Sequence, residues 1–175
     1  MMGVAAVGLA LAGFAPGESP VDGQRLVGAD RETGSWLTVG RTYAEQRYSP
    51  LNQIDTQSVA RLGLAWYHEF DTDRGQEATP LMAGGVLYTS TAWSKVYAFD
   101  AKTGELLWSF DPHVDRQRGY SACCDVANRG VAIWDGKVYV GAIDGRLIAL
   151  DAKTGQVVWS KVTVCLLYTS DAADE

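Results

Sequence analysis

The feature that most constrains this chain is a repeat. Gly85-Val86-Leu87-Tyr88-Thr89 returns as Gly136-Lys137-Val138-Tyr139-Val140, and the stretch from Val96 to Trp108 returns from Leu147 to Trp159. The offset is 51 residues throughout, linking Leu87 to Val138, Ala98 to Ala149 and Trp108 to Trp159. A period of about 50 residues with several short strands per unit points to propeller blades. One strand begins at Leu87-Tyr88 or Val138-Tyr139, and a second covers residues 96–99 or 147–150. The following Asp-Ala-Lys-Thr-Gly is a hairpin turn. Its Asp side chain can bond backbone amides, and its Gly supplies a positive φ. A third strand closes each unit on Trp108 or Trp159.

Blades bury their apolar faces against neighbouring blades, which two units cannot do alone. A closed propeller has about four to eight blades. The expected fold is therefore all-β, the first blades of an incomplete propeller. With 6 Trp, 8 Tyr and 19 Gly among 175 residues, the composition suits short strands and tight turns. Ahead of the repeat, residues 16–30 read as an extended leader. Residues 36–51 mix aromatic and polar side chains, and Pro50 bars a helix there. Residues 52–62 are the best helix candidate, capped by Asp55 or Thr56, with Val59 and Leu62 on one face. Residues 64–70 read as a strand.

The formal charge of −6, without a basic run, argues against a nucleic-acid partner. The two histidines, His68 and His113, stand apart and there is no Cys-x-x-Cys pair, so zinc or c-type haem binding has no support in these residues. Residues 1–17 read as a truncated signal peptide, its apolar run too short to span a bilayer and without a preceding Lys or Arg. The alternative is a buried N-terminal segment. Residues 18–164 form the propeller part. Residues 165–175, CLLYTSDAADE, break the blade rhythm and read as a foreign read-through tail, the alternative being a loop into a third blade.

Between the two units lies Cys123-Cys124, in a segment expected to be irregular. Adjacent Cα atoms are about 3.8 Å apart, whereas a disulfide prefers roughly 4.4–6.8 Å. The pair is either two buried thiols or a strained ring of the sort that persists at ligand clamps. Export would place it where disulfides survive.

The repeated Ala98-x-Asp100-x-x-Thr103-Gly104-x-x-x-Trp108 spacing resembles the tryptophan-docking blade motif of quinoprotein dehydrogenases. These are eight-bladed propellers that use pyrroloquinoline quinone (PQQ). Gly75-Gln76-Glu77-Ala78-Thr79-Pro80-Leu81 is similar to their first-blade segment, and Cys123-Cys124-Asp125-Val126-Ala127-Asn128-Arg129-Gly130 to their vicinal-disulfide segment. Gly40-Arg41-Thr42-Tyr43 and Arg47-Tyr48-Ser49-Pro50-Leu51 are similar to their N-terminal region. The likeness covers residues 21–164 and is nearest to the alcohol dehydrogenase branch, quinohaemoproteins included. It implies that Glu77 and Arg129 bind PQQ, and that Cys123 and Cys124 form a disulfide stacking on one face of the quinone. An arginine suits the oxygens of a planar tricarboxylate. It further implies a periplasmic enzyme that oxidises alcohols to aldehydes by hydride transfer to PQQ, with calcium polarising the quinone and a cytochrome taking the electrons. The catalytic base and the calcium ligands fall later in the family's chain, so no catalytic or metal-binding residue is assigned here. The haem c of the quinohaemoproteins likewise belongs to a further domain. The fragment by itself is expected to be inactive. The rival is a non-catalytic propeller scaffold of the outer-membrane assembly type that binds partner proteins. It gives no reason for the Cys-Cys pair or for Gln76-Glu77.

Overall fold

The computed structural model describes residues 19–164. The readings of residues 1–17 as a signal and of 165–175 as a foreign tail lie outside the described residues. The first unit folds as β1 (Leu81–Ala83), β2 (Val86–Ser90), β3 (Val96–Asp100) and β4 (Leu106–Phe110). After β5 (Cys123–Val126), the second folds as β6 (Ala132–Trp134), β7 (Lys137–Gly141), β8 (Arg146–Asp151) and β9 (Val157–Val162). Each unit is a four-stranded antiparallel sheet in sequence order.

The repeat is visible in the register. Leu81, Tyr88, Ala98 and Trp108 lie opposite one another across the first sheet. Ala132, Tyr139, Ala149 and Trp159 do so across the second. The small alanine in each row leaves room for the flanking rings to meet. Tyr88 and Trp108 approach to 6.0 Å between centroids, and Tyr139 and Trp159 to 5.8 Å. The β1–β2 and β6–β7 hairpins turn on Gly84-Gly85 and Asp135-Gly136, all at positive φ, as a two-residue turn matching strand twist requires. In the third hairpin of each unit, Asp100 Oδ1 accepts from the amides of Lys102 and Thr103 at 3.0 and 2.7 Å. Asp151 repeats this with Lys153 and Thr154 at 3.0 and 2.9 Å.

Tryptophans lock one unit onto the next. Trp108 of β4 donates its indole N–H to the Ala152 carbonyl at 3.0 Å. Its ring covers Gly155 so closely that a Cβ there would lie 2.6 Å from it. Trp66 makes the equivalent lock on the first unit, donating to the Ala101 carbonyl at 3.1 Å and covering Gly104. The Tyr88 hydroxyl also donates to the Ala152 carbonyl, and burial pushes its pKa far above the phenol's ordinary value. Leu81, Tyr88, Val96, Val138, Ile148 and Leu150 belong to one core shared by both sheets.

Several expectations are corrected. Each unit has four strands rather than three, because β1 and β6 are only three residues long and show no periodicity of their own. Residues 52–62 hold just a 3-10 turn, Val59–Arg61. The Asp55 side chain does bond the amides of Gln57 and Ser58, but Val59 and Leu62 are exposed, so no apolar face supports a longer helix. Residues 64–70 have no ladder partner among the described residues and form no strand. They lie against β3 through aromatic contacts, among them His68 on Phe99 at 4.7 Å and Phe70 on Tyr97 at 4.9 Å. The leader is not fully extended. It contains a short helix, α1 (Gly23–Val27), N-capped by Asp22. Finally, the Cys-Cys segment is a strand, β5, although it joins neither four-stranded sheet.

Candidate functional site

Strand direction decides which loops share an end. In each antiparallel sheet the Gly-Gly or Asp-Gly turn and the Asp-Ala-Lys-Thr-Gly hairpin lie together, at the end where the tryptophans dock. The opposite end collects the approaches to β1 and β6 and the loops leaving β2, β4 and β7. Both segments singled out from the sequence lie there. The Gln76-Glu77 segment leads into β1, and the Cys123-Cys124 segment leads through Arg129 into β6. Gly130, at φ 134°, runs beside the first approach, and a Cβ on it would sit 3.6 Å from the Thr79 carbonyl oxygen.

Two ion pairs of opposite sense tie these approaches together. Arg74 on the first pairs with Asp125 on the second. Arg129 on the second lies 3.4 Å from the Glu77 carboxylate on the first. Glu77 and Arg129, predicted separately as cofactor residues, are thus neighbours, and both are about half exposed. Cys124 is exposed and precedes Asp125, a non-glycine residue at φ 67°. The Cys123 side chain lies outside the described residues. Arg129 lines a cleft of about 430 Å³ together with Ser94, Asn128, Gly130, Tyr139 and Gly141. That volume falls within the roughly 300–1,000 Å³ of small-molecule sites.

A second cleft, of about 420 Å³, opens alongside, between residues 71–74 and Trp93, Lys95 and Arg116. Trp93, which lines it, has an unusual backbone. Trp93 and Ser94 are consecutive non-glycine residues at φ 64° and 60°, and the Arg116 guanidinium lies 4.2 Å over the Trp93 ring. A Cβ on Gly119 would meet that ring at 2.8 Å, so glycine is needed for the close approach. Lys95 pairs with Asp71 at 2.5 Å and Asp111 at 3.3 Å. The bond from Lys95, then that from the Tyr97 hydroxyl, holds the Asp71 carboxyl below its ordinary value. Bonding to Asp71 in turn raises the Lys95 ammonium.

Sequence reasoning missed the Arg74–Asp125 pair and the contacts of Asn128. A signal for the former existed: the two residues are 51 apart, the repeat offset, and so occupy the same slot in successive units. Charge complementarity between equivalent slots was legible before any coordinates. The Trp93–Arg116 contact had no such signal, because it depends on the left-handed backbone at Trp93.

Successive four-stranded antiparallel sheets, locked tryptophan-to-glycine with a shared core, are blades of a β-propeller. The family model of the PQQ glucose/ethanol/alcohol dehydrogenase β-propeller domain matches residues 36–160, and the chain belongs to this family. It is 59% identical over 140 residues to quinohemoprotein alcohol dehydrogenase ADH-IIG of Pseudomonas putida, covering 80% of this chain and 20% of that protein. It is 55% identical over 159 residues to the dehydrogenase subunit of the quinone-linked alcohol dehydrogenase of Komagataeibacter europaeus, covering 88% and 22%. Its fold superposes on the solved structure of ADHIIG from Pseudomonas putida HK5 with a TM-score of 0.82 at 57% identity, covering 85% of this chain and 22% of the other. The chain thus spans about a fifth of the length of the curated relatives it matches.

Proposed function

We propose that this chain is part of a periplasmic PQQ-dependent alcohol dehydrogenase and supplies one wall of its cofactor site. The observation that carries the reading is the crossed pairing of Arg74 with Asp125 and Arg129 with Glu77, which brings the two approach loops to one place. The residues fit a planar polyanion. A half-exposed guanidinium offers forked donors to carboxylate or quinone oxygens. The contact with Glu77 is 3.4 Å, long for a charge-assisted bond, so a ligand oxygen can compete for that contact. The Glu77 carboxylate would in turn accept from a ring N–H of the cofactor.

Cys123 and Cys124 are proposed to form a vicinal disulfide that faces the quinone ring. The reading is supported by the left-handed turn at Asp125 directly after the pair. A disulfide there presents a flat, polarizable surface without rotor freedom. PQQ, when bound, supplies the acceptor for the hydride of the alcohol. What this chain contributes is binding and orientation. Arg129 and Glu77 fix the cofactor's edge, and the cysteine pair covers one face. The base, the opposite face and the calcium ligands are assigned to residues beyond this chain.

A cytochrome acceptor is part of the same proposal. One relative, 50% identical over 131 residues, is named 1-butanol dehydrogenase (cytochrome c), from Thauera butanivorans. A haem c domain in the whole protein is proposed on the likeness to the quinohemoproteins. The test is to reconstitute the full-length protein with PQQ and calcium and to follow dye reduction with primary alcohols. PQQ-dependent turnover is expected. Stoichiometric PQQ binding without turnover would overturn the dehydrogenase reading, and no PQQ binding would overturn the site.

A further inference from the structure

We propose that Asn128 is the positioning residue for Arg129: its side-chain amide clamps the turn that carries the arginine to both blades at once. The proposal rests on the cofactor reading of Arg129 given above. Asn128 Oδ1 accepts from the Gly130 amide at 3.1 Å, closing a turn whose middle residue is Arg129. The same oxygen accepts from the Ser90 hydroxyl at 2.5 Å, at the end of β2. Nδ2 donates to the Gly141 carbonyl at 2.9 Å, at the end of β7, and reaches Ser94 Oγ at 3.4 Å.

One planar amide therefore ties the Arg129 turn to the first sheet through Ser90 and to the second through Gly141. The assignment of its two ends is not arbitrary, because the Gly141 carbonyl can only accept and must face the nitrogen. Ser90 and Ser94 are 1% and 2% exposed, so water has little access to replace the bonds to these two hydroxyls, while the bond to the Gly141 carbonyl is exposed. Gly130 at φ 134° holds the far end of the turn in a conformation that glycine alone adopts readily. No isostere repeats the pattern. Aspartate would keep the bonds from Ser90 and Gly130 but set a carboxylate oxygen against the Gly141 carbonyl, and leucine would lose every bond. Arg129 leaves the backbone from within this turn, so the clamp sets the point from which its side chain reaches toward Glu77 and the cleft. A displacement of about 1 Å in a positioning group can cost on the order of a hundredfold in function.

The test is a double-mutant cycle on the full-length protein, titrated with PQQ in the presence of calcium and followed by cofactor fluorescence. Asn128→Ala should weaken PQQ binding roughly tenfold, equivalent to about 1.4 kcal/mol. In an Arg129→Gln background the same substitution should change the Kd by less than about twofold, because its effect passes through the arginine. Ser90→Ala, a gentler change, should show the same pattern with a smaller amplitude, and it carries the cycle if Asn128→Ala does not fold. A merely structural residue would weaken binding by the same factor in both backgrounds, and that result, or no loss in the wild-type background, would overturn the proposal. If Arg129→Gln itself leaves PQQ affinity unchanged, the cofactor reading fails first and this role fails with it.

Discussion

Gly155 and Trp108 show how a single residue pair holds blades together. The glycine sits at φ 70° under an indole ring that leaves no room for a Cβ. Gly155→Ala combines backbone strain with displacement of the ring and should cost about 1–3 kcal/mol. Trp108→Phe keeps most of the apolar area but removes the bond to the Ala152 carbonyl. Tyr88 still donates there, so the loss should be nearer about 1 kcal/mol. Urea midpoints of the full-length protein measure both. An unchanged midpoint in Gly155→Ala would mean that the close ring–glycine approach is not what joins the blades. Glycines in matching repeat slots were readable from the sequence. The partner ring was not, because Trp108 lies 47 positions before Gly155 and only the stacking of units brings them together.

The element most exposed to solution conditions is the unpaired stretch of residues 64–77, tied to β3 by Trp66, by the aromatic contacts and by the Asp71–Lys95 pair. The pair titrates at both ends of the pH scale. Asp71 is lowered from 3.8 by Lys95 and Tyr97, so its contribution is present above 3.8 and lost as pH falls through the lowered value. Lys95 is raised from 10.5, chiefly by Asp71, so its contribution is complete below 10.5 and lost as pH rises through the raised value. Asp71→Asn should therefore lower thermal stability slightly at neutral pH and flatten its acid limb. The difference from wild type should shrink at high salt, since Asp71 is largely exposed. A salt-independent difference that persists well below pH 3 would rule out this electrostatic origin. The same stretch shows where the sequence misled. Its Trp, Tyr and Phe content favours a strand, but strand formation needs a neighbour to pair with, and among the described residues there is none. The hairpins were legible because their signals are local: an Asp side chain reaching two amides and a Gly at positive φ need nothing from elsewhere.

At the scale of the whole molecule, two blades place the approach loops of β1 and β6 side by side and leave the docking end to the hairpins. The repeat made the blade architecture legible, and the likeness to quinoproteins pointed to Glu77, Cys123, Cys124 and Arg129. The pairing of Glu77 with Arg129 and the clamp at Asn128 appear only when the two units stack. Two blades also leave apolar side chains such as Leu62, Leu64 and Val162 exposed. Residues 19–164 produced alone should show no PQQ-dependent alcohol oxidation and should aggregate with rising concentration, as light scattering would report. A monodisperse and active fragment would contradict the view that the remaining walls lie in other residues. The central claim, that these two loops form one wall of the PQQ site, is tested most directly by titrating the full-length protein with PQQ. Comparing wild type with Glu77→Gln and Arg129→Gln, each substitution should raise the Kd about tenfold or more while the melting temperature of the cofactor-depleted protein stays close to that of wild type. Unchanged affinity in both variants would contradict it.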